Sequence, residues 1–232
     1  MVRSRNRFLS LFLPALAALY AATPAAGQTA LSLHAGVTSA DLTAGGREDQ
    51  SDGPRRALSL GAGLTLPVLP GVGLYLGAAY LQKGASYGIL ADDIVDAFFA
   101  DLKLDYIELS ALARVSIPAG FASLYLLTGP TVALQANCAT DLTYSLGGNT
   151  VESDFGIDYS DVACTERDYE IGASDSEEIE FGAVGGIGAR LPSVGPINVS
   201  LEVLYAAGLS AIFGDARNRA VHLRAGLSIP IG

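Results

Sequence analysis

The segment DYIELSALARVS, residues 105–116, alternates apolar and polar side chains and decides the fold. Every second residue from Ile107 to Val115 is apolar, whereas the residues between them include Glu108 and Arg114. Because successive side chains of a β-strand point to opposite faces, this period of two predicts a strand with one apolar and one polar face. The turn sequence IPAG (117–120) follows directly, so we expect the chain to reverse there.

Seven more segments have strand character, some alternating clearly and others apolar or glycine-rich on both faces. The eight predicted strands are 31–39, 57–67, 72–84, 105–116, 121–135, 178–191, 197–209 and 219–231. Two kinds of connection alternate between them. Tight proline- and glycine-rich turns occur at 67–71, 117–120 and 192–196, and carboxylate-rich connections occur near 40–56, 85–102, 136–177 and 212–218. This alternation predicts an all-β fold, an eight-stranded antiparallel up-and-down transmembrane β-barrel with short periplasmic turns and longer extracellular loops.

The N-terminus has the pattern of an export signal. Three arginines within residues 1–7 precede an apolar run over 8–22, and small residues up to Gly27 offer a cleavage site. We therefore predict a signal peptide over 1–27 and a barrel domain over 28–232, located in the bacterial outer membrane, with a long acidic loop at about 136–177.

The composition fits a membrane wall made of strands. Half of the residues are hydrophobic, yet the chain has 27 glycines, which helices avoid. The formal net charge is −10, with the acids concentrated in the predicted loops, and this argues against nucleic acid as a partner. The expected partners are outer-membrane lipid and, through the loops, other envelope proteins.

The inward faces of the predicted strands carry charges. An eight-stranded barrel is just wide enough for side chains to fill, and buried ions must be paired, so we predict a luminal carboxylate–guanidinium network instead of an open pore. Its predicted members are Glu108, Arg114, Glu202 and Arg224, with Arg190, His34 and His222 also facing inward. A proton or ion path is the alternative.

Catalytic and metal-binding patterns are weak. His34 and His222 are the only histidines, expected at different heights in the barrel, and no nucleophile motif accompanies a triad of His222, Asp215 and Ser210. The acidic segment 158–170 does not have calcium-loop spacing. We expect no enzyme activity, no metal and no cofactor.

Two cysteines, Cys138 and Cys164, lie in the same predicted loop. In an exported protein such a pair predicts a disulfide. The apolar FFADL segment (98–102) extends a strand, forms a short helix or marks a contact surface. Pro130, in the middle of a strand, predicts a bulge or an early strand end.

The chain lacks tryptophan, so an aromatic belt at the membrane interfaces has to rest on tyrosine and phenylalanine. The tyrosines expected to serve are Tyr75, Tyr80, Tyr106, Tyr125 and Tyr205.

Several motifs, taken in order, resemble the PorT-like outer-membrane β-barrel domain family. The family pattern has Gln-Lys-Gly after the third strand, here 82–84, a Leu-Asp-Tyr-hydrophobic-Glu entry to the fourth, here 104–108, and a Gly-Pro late in the fifth, here 129–130. The segments 181–192 and 201–212 also resemble it. The resemblance implies an eight-stranded barrel in a Gram-negative outer membrane, and it implies no settled activity.

Two functions remain open. The first is a barrel without an open pore that acts through its external loops as a structural, adhesive or accessory component of an envelope complex. The alternative is a secreted, soluble, lipocalin-like barrel that carries an apolar ligand and has a polar exterior.

Overall fold

In the computed structural model, the described residues are 28–43, 53–89, 97–120, 122–146, 149–151, 162–163, 179–191, 197–212 and 216–231. They form the strands β1 (Ala30–Thr43), β2 (Gly53–Leu69), β3 (Val72–Ile89), β4 (Ala97–Ala119), β5 (Ala122–Leu146), β6 (Asn149–Val151), β7 (Val162–Ala163), β8 (Ile179–Arg190), β9 (Asn198–Gly208) and β10 (Arg217–Pro230). No helix in this part of the chain is long and apolar enough to cross a membrane. The predicted signal peptide lies outside the described residues, as do the segment 192–196 and, apart from β7, the segment 158–170.

Eight of these strands close into a barrel. Hydrogen-bonded neighbours follow the order β4-β3-β2-β1-β10-β9-β8-β5, and pairing of β4 with β5 completes the ring. All pairings are antiparallel, including that of the first strand with the last, which runs from Ala30–Pro230 to Thr43–Arg217. The two short strands β6 and β7 pair only with β5, outside the ring. The predicted eight-stranded antiparallel barrel is confirmed.

The outer and inner faces of the barrel wall differ in polarity, as the alternation of apolar and polar residues along the strands predicts. On the outside, large apolar side chains are exposed, with Leu33 at 62%, Leu58 at 69% and Leu223 at 58%. On the inside, polar side chains such as Thr38 and Glu202 are buried, at 0% and 4% exposure. An apolar exterior around a polar interior is the arrangement of a barrel that faces lipid. The barrel therefore lies in the outer membrane.

Two tight turns lie where glycine and proline predict them. Gly71 follows β2 with φ 74° and Gly120 follows β4 with φ 62°. These left-handed conformations are favourable for glycine because it has no Cβ, so each turn reverses the chain in very few residues. Both turns, with the two chain ends of the barrel, define one end of it, here called the turn end.

At the opposite end, the loop end, the strands are longer than predicted. β4 and β5 continue beyond the last β5–β8 pair as nine residue pairs, from Asp105–Asn137 to Ala97–Ser145, and β3 continues beside β4 to the pair Ile89–Phe98. We call residues 97–105 and 137–146, together with β6 and β7, the sheet extension. A register shift beside Ala136 marks its start, just above the last β5–β8 pair, Leu134–Ile179. The polar segments 85–102 and 136–177 are therefore partly strand, and FFADL extends β4.

The prediction of a bulge or an early strand end at Pro130 is wrong. Pro130 pairs with Ala183 of β8 without a change of register. On the β4 side the ladder pauses between Thr128 and Thr131 and resumes in the same register. Proline lacks an N–H, so it removes a ladder bond without displacing the strand.

The predicted aromatic belt is wrong for three of its five tyrosines. Tyr75, Tyr106 and Tyr125 are buried in the lumen, at 4%, 0% and 2% exposure, because they occupy inward positions of their strands. Tyr80 and Tyr205 are on the outside, at 41% and 49% exposure.

Candidate functional site

The lumen brings together most of the buried charges of the described residues, and it holds them in two groups. The inward positions of alternating strands place a group near the loop end and another near the turn end. We call the first the loop-end cluster (Lys83, Tyr106, Glu108, Glu180 and Asn218) and the second the turn-end cluster (Tyr75, Arg114, Tyr125, Glu202 and Arg224).

Lys83 is the centre of the loop-end cluster. Its Nζ lies 3.4 Å from Oε2 of Glu108 and 3.3 Å from Oε1 of Glu180, and its side chain is 2% exposed. The Nδ2 of Asn218 donates to the second oxygen of Glu180 at 2.5 Å, and the Tyr106 ring centroid lies 5.0 Å from Nζ. One ammonium group thus links carboxylates from β4 and β8 across the lumen.

Glu202 is the acid of the turn-end cluster. It accepts a short hydrogen bond from Nε of Arg224, its neighbour across the β9–β10 pair, and one from the Tyr125 hydroxyl at 2.6 Å. The Arg114 guanidinium lies 3.7 Å from the centroid of the Tyr125 ring, within cation–π range. Arg224 also faces the ring of Tyr75, at 5.7 Å.

Apolar side chains fill the space between the two clusters. Leu112, Leu127 and Leu204 are each 3% exposed or less and pack in one buried group with Tyr75 and Tyr125. A cavity of about 30 Å³ remains beside them, lined among others by His34, Glu108, His222 and Arg224. That is room for one or two waters, far below the 300 Å³ or more of a typical ligand site. The lumen does not suit a soluble carrier of an apolar ligand, which was the alternative function.

The predicted luminal residues meet in a pattern that differs from the expected one. Glu202 and Arg224 form an ion pair. Glu108 pairs with an ammonium group, that of Lys83. Among the described residues no guanidinium forms an ion pair with it, because Arg114 lies six residues further along β4, at the other end of the lumen. Arg114 stacks on an aromatic ring.

Sequence reasoning missed Lys83, Glu180 and Asn218 as members of a network. The position of Lys83 did indicate that it faces inward. It lies an even number of residues from the inward Tyr75 on β3, and an even separation places two side chains on the same face of a strand. The glycines and alanines between them make both faces of β3 small, and this concealed the inward register.

The two histidines have separate partners but border one cavity. Nδ1 of His222 lies 2.9 Å from the Thr38 hydroxyl, and Nε2 of His34 lies 2.9 Å from the Ser32 hydroxyl. Ser210 accepts a hydrogen bond from the N–H of Phe181 at 2.9 Å, and Asp215 lies outside the described residues. Within the described ranges no group of three or more His, Cys, Asp or Glu side chains could hold a metal ion.

Cys138 lies half-buried in β5, at the start of the sheet extension, and is not a free thiol. Its predicted partner, Cys164, lies outside the described residues, so the disulfide stays a prediction. The residues next to the two cysteines in the sequence, Ala139 in β5 and Ala163 in β7, are paired with each other.

Comparison with known proteins finds only distant structural similarities. The chain matches no family model and no curated protein. It is similar to Neisserial surface protein A, with 14% identity over 87% of this chain and 99% of that one and a TM-score of 0.46. It is similar to OprG from Pseudomonas aeruginosa, with 14% identity over 88% and 97% and a TM-score of 0.47, and to Ail of Yersinia pestis, with 14% identity over 88% and 100% and a TM-score of 0.41.

Such distant similarity transfers no activity, and the classification rests on the chain's own strand pairing and faces. The protein is a small outer-membrane β-barrel.

Proposed function

We propose that this protein is a barrel without an open pore that acts at the cell surface, through the sheet extension and the external loops, as an adhesive, structural or accessory component of an envelope complex. The observation that carries the proposal is the filled lumen. Buried ion pairs at both ends and leucines between them leave cavities no larger than a few waters among the described residues.

The sheet extension supports the second half of the proposal. Nine residue pairs beyond the last β5–β8 pair correspond to about 25 Å along the strands, which carries β4 and β5 well past the end of β8. The sheet extension contains an ion pair, with Lys103 Nζ 2.6 Å from Asp141 Oδ2 at about 30% exposure each. A paired, ordered β-surface can present a binding face with little loss of entropy on association.

The two cysteines fit this platform. In an antiparallel pair, directly opposed residues have Cα atoms about 4.5–5.5 Å apart, and a disulfide needs about 4.4–6.8 Å. Because Ala139 and Ala163 are paired and each adjoins one cysteine, a Cys138–Cys164 bond would hold β7 against β5. A faster non-reducing gel mobility of the denatured native chain, lost in C138S, would support the bond.

Membership of the PorT-like family is also a proposal. The support is that two motif residues, Lys83 and Glu108, contact each other in the lumen, and that Gly84, between them in the chain, has φ 128°. Catalysis and cofactor binding form no part of the proposed function.

Two experiments test the proposal. The first is planar-bilayer recording of the purified barrel, which should give no steady conductance. A stable open channel would refute the filled lumen.

The second is site-specific photocrosslinking in the native envelope. A photoreactive residue at Asn137, exposed in the sheet extension, should give adducts with other envelope components, and a matched residue at Val68, exposed near the turn end, should not give the same adducts. Adducts from Val68 alone, or none from Asn137, would contradict a role for the extension.

A further inference from the structure

The turn end of the lumen carries more positive than negative charge. Arg114 and Arg190 line a cavity there together with Glu202, the one carboxylate among its lining residues. Glu202 already accepts hydrogen bonds from Arg224 and Tyr125. Among the described residues, no carboxylate forms an ion pair with the guanidinium group of Arg114 or of Arg190.

The cavity is about as large as one water molecule. It measures about 10 Å³ and is lined, besides the two arginines, by His34, three serines and a threonine. A cavity of about 10–15 Å³ in this measure is just sufficient for one water molecule. A monatomic anion is slightly larger than a water molecule and enters with a small outward shift of the lining side chains, whereas a tetrahedral oxyanion is several times larger.

Two buried nitrogen atoms on its lining residues have no hydrogen-bond partner. They are Nε of Arg114 and Nδ1 of His34, on residues that are 9% and 8% exposed. The stack of Arg114 on Tyr125 fixes the guanidinium plane, so the group cannot easily turn away to reach solvent. Buried polar atoms are rarely left without a partner, and buried charges are normally compensated.

An anion would supply both the missing hydrogen-bond acceptor and the missing negative charge. It would accept the free Nε–H of Arg114 and would compensate two neighbouring positive charges, which a neutral water leaves in place. We propose that the turn end of the lumen binds one small inorganic anion of halide size between Arg114 and Arg190. This inference does not depend on the role of the sheet extension.

The first test needs no variant. Crystals of the intact barrel grown or soaked in sodium bromide should show an anomalous difference peak between the two guanidinium groups, within hydrogen-bonding distance of Arg114. A water at that position, with no anomalous signal in bromide, would overturn the proposal, as would a peak elsewhere in the lumen and none here.

The second test measures the effect of chloride on stability. At constant ionic strength, replacing isethionate by chloride should raise the thermal unfolding midpoint of the native chain, because the folded state alone contains the site. Arg190→Gln should lose this chloride response. Arg219→Gln, the same change on the exposed outer face of β10, should keep it.

The remaining outcomes also decide the matter. A chloride response that persists in Arg190→Gln would overturn the proposal, and so would a response to sulfate without one to chloride, since sulfate exceeds the cavity. Should Arg190→Gln fail to fold, Arg190→Lys keeps the charge and should keep a chloride response, while the bromide experiment on the native chain remains decisive.

Discussion

Replacing Lys83 by methionine should destabilise the barrel strongly. The substitution keeps the length of the side chain but removes the ammonium group that lies 3.4 and 3.3 Å from the two carboxylates of the loop-end cluster. Those carboxylates have side chains only 9% and 4% exposed, so neither can recover much hydration. Removing one partner of a buried ion pair costs about 3–5 kcal/mol. With a urea dependence of about 2 kcal/mol per M, the unfolding midpoint should fall by roughly 2 M.

The matched control is Lys103→Met, which removes a lysine from an ion pair at the surface. The Lys103–Asp141 pair has side chains 29% and 31% exposed, and exposed pairs contribute about 0–1 kcal/mol. Reversible urea unfolding in detergent or lipid, followed by far-UV circular dichroism, compares the two variants. Equal and small losses would refute the reasoning, because they would mean that water fills the lumen around Lys83.

Two further pairs of variants test the wall. Leu223→Arg, on the exposed face in the middle of β10, should lower the free energy of unfolding in lipid by about 2–4 kcal/mol. Ile231→Arg, beyond the end of β10 at the turn end, should lower it by about 0–1 kcal/mol. Equal losses at both depths would contradict a bilayer around this face. Gly129→Ala places a Cβ 2.2 Å from the carbonyl oxygen of Ala111 and should cost about 1–3 kcal/mol. Gly185→Ala, whose Cβ has nothing nearer than 3.8 Å, should be neutral or stabilising by up to about 1 kcal/mol, and a loss as large as that of Gly129→Ala would argue against the close β4–β5 approach.

The barrel itself could be predicted from sequence because its constraints are local. Alternation over 105–116 is set by the strand geometry, and the glycines at 71 and 120 mark the reversals directly. The Glu202–Arg224 contact was also within reach, since both residues are inward-facing on neighbouring strands.

The ends of the strands and the partners in the lumen could not be read in the same way. The sheet extension combines the apolar FFADL segment with carboxylates. Carboxylate-rich segments are typical of loops, so the sequence did not decide between a strand and a loop there. The partner of Glu108 depends on the register between neighbouring strands. Lys83 on β3 is paired with Leu104, four residues before Glu108 on β4, and the sequence alone does not give this offset. The tyrosines were misplaced for a related reason, because a phenol group suits an interface and a polar lumen equally well.

The central claim is that apolar side chains face lipid while the polar network is enclosed, and fluorescence tests it most directly. The chain contains no tryptophan, so a single introduced tryptophan is an unambiguous reporter. In liposomes with brominated acyl chains, Leu223→Trp should be strongly quenched, and Tyr106→Trp, at a position that is 0% exposed inside the barrel, should be quenched far less. Equal quenching of the two, or stronger quenching of Tyr106→Trp, would contradict the account.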